Sequence, residues 1–153
     1  MNTVEAATIR VERGARWLDE NFPGWESRIN ARTLSLANGS RCICGQVFKK
    51  EAKEFESYDI GNGYSYAWHT LFTDANSWIT AIVKLRTNSE GRRLSKKERE
   101  RRSARVGIAL GFMEGCLDLR SAHECDQLFV GFDRLQKVWK ALLKSRENAL
   151  VNV

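Results

Sequence analysis

The sequence predicts a mainly α protein: a single compact helical domain of five or six helices, with at most one short two-stranded β element. Three observations predict it. Apolar residues recur at three- and four-residue spacing through most of the chain, the period of one helix face. Residues able to cap a helix start stand just ahead of those stretches: Thr3, Ser40, Ser95, Ser121 and Asp133. A hydrophobic fraction of 42%, with five Trp, seven Phe and three Tyr, is enough for a packed core and argues against disorder.

At 153 residues the chain has the length of one domain, 1–153. No apolar run approaches the roughly 18–20 residues that span a bilayer, so no membrane partner is expected. The first twenty residues are charged throughout and lack the short apolar core of a signal peptide, so a cytoplasmic location is expected. Four cysteines in that compartment are expected as free thiols. The net charge is +6, and it has a local source. Residues 92–105 hold eight bases against two acids, so this segment carries the whole excess.

In chain order, Thr3 is placed to cap a first helix. Val4, Ala7, Val11, Ala15 and Leu18 form its inner face, and Arg10, Glu12, Arg13 and Glu20 fall on other faces. Pro23 forces Phe22 out of the helical region, and Pro23-Gly24 fits a type II turn. Trp17, Pro23, Gly24 and Trp25 then make a structural corner across which the two tryptophans can meet. Residues 33–36 alternate like a brief strand, and Asn38-Gly39 reads as a turn. Ser40 can cap a second helix over 41–56, buried through Ile43, Val47, Phe48, Ala52 and Phe55. Gly45 inside it costs about 1 kcal/mol relative to Ala, which implies a close backbone contact or a later helix start.

Gly61 to Gly63 is a loop, and residues 64–69 fit either a short strand or the opening of a helix. Asp74 or Ser77 can cap a helix with Trp78, Ile82 and Leu85 on one face and Ile79 and Val83 beside it. Residues 87–94 read as an internal linker. Ser95 and Glu98 have capping-box spacing, opening a long helix to about Phe112 that Gly111 or Gly115 ends. Ser121 and Glu124 repeat that spacing ahead of a short helix closed by Gly131. Asp133 caps the last helix, with Leu135, Val138, Trp139, Leu142 and Leu143 inward and a frayed tail over 147–153.

The candidate binding residues are Arg92, Arg93, Lys96, Lys97, Arg99, Arg101, Arg102 and Arg105. Eight cations within fourteen residues can neutralise several phosphates. They equally suit an acidic protein partner, or a solvated helix with weak ion pairs such as Glu98 to Arg102. No aromatic residue stands among them to stack on a base. Cys42, Cys44, His123 and Cys125 together match the three sulfurs and one imidazole of a structural zinc site, with Cys116 spare. Yet a C-x-C spacing within a helix aims its sulfurs at different faces, and free cysteine is commonly a core residue. Core thiols and no metal are therefore the expectation. The two histidines, His69 and His123, accompany no phosphate loop, nucleophile elbow or metal-hydrolase motif, so neither catalysis nor a cofactor is expected.

Trp17-Leu18-Asp19, Pro23-Gly24-Trp25, Ile29, Leu34, Leu36 and the run Cys42 to Phe48 with Gly45-Gln46 resemble a group of proteins. The group is the small uncharacterised proteins of actinobacterial phages and their hosts, with an LDxxxPGW…CxxGQxF opening. Gly131-Phe132-Asp133 with Leu135 and Trp139 resembles their closing GFD…W helix. The likeness covers about the first third and last fifth of the chain. It departs from the group at Gly39, where members carry the first cysteine of a CxxC, and at Cys44, where they carry an aliphatic residue. The resemblance implies a phage or mobile-element origin, and by analogy an accessory role in binding host machinery. The resulting expectation is a phage-encoded protein of the host cytoplasm that binds a host or phage macromolecule, with residues 92–105 as its contact. The alternatives are a nucleic-acid-binding protein using that same segment, and a virion component.

Overall fold

A computed structural model of the chain describes residues 1–55, 61–73, 77–83, 95–117 and 123–151. Its helices are α1 (Thr3–Asn21), α2 (Ile43–Val47), α3 (Lys49–Glu54), α4 (Gly63–Tyr66), α5 (Ser77–Val83), α6 (Lys96–Ala109), α7 (Glu124–Gln127) and α8 (Phe132–Val151). A 3-10 turn, Trp25–Arg28, follows α1, and α4 runs on into a π-helical turn, Ala67–Leu71. Long α1 packs on α8, on α7 and on the end of α6. The short helices α2 to α4 form a second layer, in which α4 packs on both α2 and α3.

The mainly α class is as expected, but the short β pair does not form. Among the described residues there is no strand, only an isolated antiparallel bridge between Gly115 and Val130. Residues 33–36 form turns because their backbone donors are used elsewhere: Ser35 N–H donates to Arg41 O (3.1 Å) and Leu36 N–H to Gln136 Oε1 of α8 (3.0 Å). Residues 65–69 are helical because Asn62 accepts from Ser65 N–H (2.8 Å) and so starts a helix ahead of them.

Several boundaries move for similar local reasons. Asn2 rather than Thr3 caps α1, its Oδ1 accepting from Glu5 N–H at 2.9 Å. The segment expected as one helix over 41–56 starts later and divides at Phe48, whose ring is fully buried against Phe22 and Trp17. The start is at Cys42, and a Cβ on Gly45 would overlap Gly39 O and lie 2.6 Å from Ser40 C. On α5 the fully buried residue is Ile79. Trp78 instead staples α5 to α1, donating to Glu20 Oε2 (2.9 Å) under the Arg16 guanidinium, 4.2 Å from the ring. Gly111 follows the end of α6 at φ 72°, a position that favours glycine. Helix α8 continues to Val151. Asp74, Leu85, Ser121 and the linker 87–94 lie outside the described residues.

Trp17 sits at the centre of the core. Phe22, Phe48, Phe72 and Phe112 surround it edge-on, with centroids 5.5–6.3 Å away. Phe72 stacks on Phe112, Phe112 stacks on Trp139, and Trp139 meets Trp25 edge-on at 6.1 Å. Such contacts each add about 0.5–1.5 kcal/mol beyond burial. The spine passes α1 at Gly14, where a Cβ would overlap Leu110 O and lie 2.9 Å from Trp139 Cζ2.

Gly14→Ala is expected to destabilise by about 3 kcal/mol or more, because the obstruction includes a backbone carbonyl and a fully packed indole. Gly24→Ala, with open space around its Cβ but φ 84°, should lose only about 1–2 kcal/mol from backbone strain. Urea unfolding midpoints of the two variants check the order, and a Gly14 variant no weaker than the Gly24 variant would contradict the packing.

Candidate functional site

Helix α6 is built in two halves. Ser95 opens it, accepting from Glu98 N–H (3.2 Å) and donating its hydroxyl to Glu98 Oε1 (3.1 Å). Lys96, Lys97, Glu98, Arg99, Glu100 and Arg101 are then all exposed. Arg102 and Arg105 are half-buried, and Ser103, Val106, Gly107 and Ala109 are buried. The Ser103 hydroxyl donates to Trp68 O of the π turn at 2.7 Å and so anchors the helix where exposure ends.

With 100° between successive residues, Lys96, Lys97, Arg99 and Arg101 cover an arc of about 200°, wider than one face of the helix. The exposed part is about 9 Å long at 1.5 Å per residue. Helix α6 carries six cations against two carboxylates. The expected Glu98–Arg102 pair is not formed: Glu98 is held by Ser95, and Arg102 Nε is buried without a hydrogen-bond partner. Arg92 and Arg93 lie outside the described residues.

At the corner, Trp25 N–H donates to Phe22 O (3.1 Å) across Pro23-Gly24, and Gly24 has the φ 84°, ψ 8° of a type II turn. The two tryptophans do not stack on each other. Trp17 turns inward to the phenylalanines and Trp25 toward Trp139. Trp25 Nε1 donates to Asp19 Oδ1 (2.9 Å), and Arg146 of α8 grips both Asp19 oxygens (2.7 and 2.8 Å) and Glu26. Hydrogen bonding from Arg146, ahead of that from Trp25, holds the Asp19 carboxyl below its usual range. Asp19, Glu26 and Arg146 border an open groove of about 970 Å³ between the 24–32 segment and the end of α8.

The zinc candidates do not converge. Cys42 and Cys44 are buried in α2, where Cys42 Sγ accepts from Gly45 N–H (3.2 Å) and so caps the helix. Cys125 lies in α7 against Arg13, and His123 is exposed at the start of α7. Among the described residues no three potential ligands gather. Burial pushes the Cys42 thiol up to about 11 and Cys44 well above its ordinary value. Cys116 and His69 are exposed.

A charged cluster absent from the sequence reading lies under α1. Arg10, expected on an outer face, has no exposed surface. Its Nε donates to Cys125 O (3.1 Å), Nη1 to Gly115 O (2.9 Å) and Nη2 to Leu128 O. Asp126, equally buried, accepts from Arg13 Nη1 at 2.7 Å and lies 3.7 Å from Arg10 Nε. Burial lowers the Arg10 pKa, opposed by the charge of Asp126. The sequence does hold a signal. Ala6, Arg10 and Gly14 share one stripe, and small residues on either side leave room for a guanidinium to enter.

Among the described residues no helix is long and apolar enough to cross a membrane. No family model, curated protein or solved structure matches the chain.

Arg10→Met is expected to cost about 3–5 kcal/mol, since it strands the carbonyls of Cys125 and Leu128, takes one of two donors from Gly115 O and removes one of the two cations facing Asp126. Chemical denaturation checks it, and a loss under about 1 kcal/mol would mean that the pocket refills without the charge. Thiol labelling gives a second test. A maleimide near neutral pH should modify Cys116 first, and Cys42 and Cys44 only on unfolding, as read by peptide mass spectrometry. Early labelling of Cys42 would contradict its buried capping role.

Proposed function

We propose that the protein acts without catalysing a reaction, as a phage-encoded accessory protein of the host cytoplasm that binds a host or phage macromolecule through the first half of α6. The observation that carries this reading is the exposure of Lys96, Lys97, Arg99 and Arg101 together, ahead of a helix whose other half is locked into the core. Among the described residues none of the four is in an ion pair, so their charge is available to a partner. Fully solvated cations have little desolvation to repay when they meet exposed anions, so such contacts form readily and weaken with salt. The phage origin rests on the resemblance of the opening and closing motifs.

The test compares the wild-type protein with a variant carrying Lys96→Ser, Lys97→Ser, Arg99→Ser and Arg101→Ser. All four side chains are exposed, so unchanged circular dichroism and thermal midpoint are expected. Affinity capture from host lysate should recover a macromolecule with the wild type and lose most of it with the variant. Equal recovery by both would remove α6 as the contact.

A further inference from the structure

We infer that the partner of α6 is double-stranded DNA, held through the phosphates on both walls of its major groove with little regard to sequence. This rests on the reading of α6 as the contact element and adds the chemistry of what it contacts.

The distribution of charge separates the candidate partners. An acidic protein surface presents its anions from one side and is met by a helix with one basic face. Successive residues at 100° put Lys96, Lys97, Arg99 and Arg101 on several sides of α6, and all are exposed. Against a flat surface, the outermost of these cations, Arg99 and Arg101, would point sideways and not at the anions. A groove walled by two phosphate strands receives them on both sides.

The dimensions agree. An α-helix with its side chains is about 10–12 Å across, and the major groove of B-form DNA is about 12 Å wide and 8.5 Å deep. The exposed part of α6 is about 9 Å long, so it can enter to the depth of the groove before the buried half begins. A-form RNA has a deep, narrow major groove that does not admit a helix in this way, which favours DNA over duplex RNA.

The side chains present also define what is not read. From Ser95 to Arg105 there is no Asn or Gln to bracket an adenine and no aromatic ring to stack on an unpaired base. Ser103 is committed to Trp68 O. Lysine and arginine contacts to phosphate position a protein without specifying a sequence. Glu98 and Glu100 oppose binding to phosphate, but the six cations of α6 leave it a net positive element.

Fluorescence anisotropy with a short labelled DNA duplex, titrated across a range of salt, tests this. If each of the four exposed cations meets one phosphate, log K should fall against log salt with a slope of about −3 to −4. Arg99→Ser alone should reduce that slope by about 1. The fourfold serine variant should bind at least about tenfold more weakly, with most of the slope gone. Two duplexes of unrelated sequence should agree within about twofold, and the matching single strand should bind more weakly. Absence of duplex binding at low salt would overturn the inference, as would tighter binding of the single strand. Binding of polyglutamate in preference to the duplex would overturn it too, while leaving α6 as the contact for an acidic protein. If neither DNA nor polyglutamate binds, this inference falls, and capture from lysate with the fourfold variant decides separately whether α6 is the contact.

Discussion

The structure depends on a close approach at Gly14. There α1, the end of α6 and Trp139 of α8 meet with no room for a side chain between them. The contact does several things at once. It lets Trp139 Nε1 donate to Gly111 O at 2.7 Å inside the core, so the carbonyl of the turn after α6 is paired and not merely buried. It sets the Trp139 ring parallel to Phe112, and through Phe112 and Phe72 it links α8 to the second layer of short helices. Gly111 completes the junction, because a Cβ there would lie 2.9 Å from Val11 N. Two glycines thus allow three helices to share one point, and the aromatic spine follows from where they cross.

One turn before Gly14, the same face of α1 carries Arg10. Segments 115–117 and 125–130 run across this face with few backbone bonds between them, and the carbonyls of Cys125 and Leu128 take their donors from α1. A guanidinium supplies donors in a fixed planar fork, and Arg10 directs three of them to carbonyls on these two segments. Asp126 and Arg13 complete the charge balance of the pocket. Removing the cation while leaving Asp126 would cost far more than the pair contributes, which is the ordinary behaviour of buried charge. The cluster ties the irregular region to α1 through these bonds. Arg146 plays a related but exposed part, tying α8 to Asp19 and Glu26 and closing the corner that begins at Pro23.

These contacts fix the position from which α6 presents its charges. From Ser103 onward it is fixed by the π turn, by α5 and by the Gly14 junction, while the residues before it reach into solvent. A helix held at one end keeps its charges in a fixed pattern without relying on the partner for order. That lowers the entropy lost on binding compared with a disordered basic tail.

What the sequence by itself determined are the features settled within a few residues of one another. The helical class, the type II turn at Pro23-Gly24, the start of α6 at Ser95, its end near Gly111 and the inner face of α8 all follow from local spacing and caps. The concentration of positive charge is of the same kind. Tertiary structure decided the rest. Arg10 looks like a surface residue in its own helix because its acceptors lie 105 to 118 residues away, on segments with no pattern of their own. Residues 33–36 alternate like a strand, but their donors are claimed by Arg41 and Gln136. The cysteines and His123 form a plausible ligand set in one dimension and occupy separate places in three. Which turns of α6 stay in solvent was likewise fixed by where Trp68 and the core stop it. Local spacing decides which conformations a segment can adopt, but burial and hydrogen-bond partners come from distant parts of the chain.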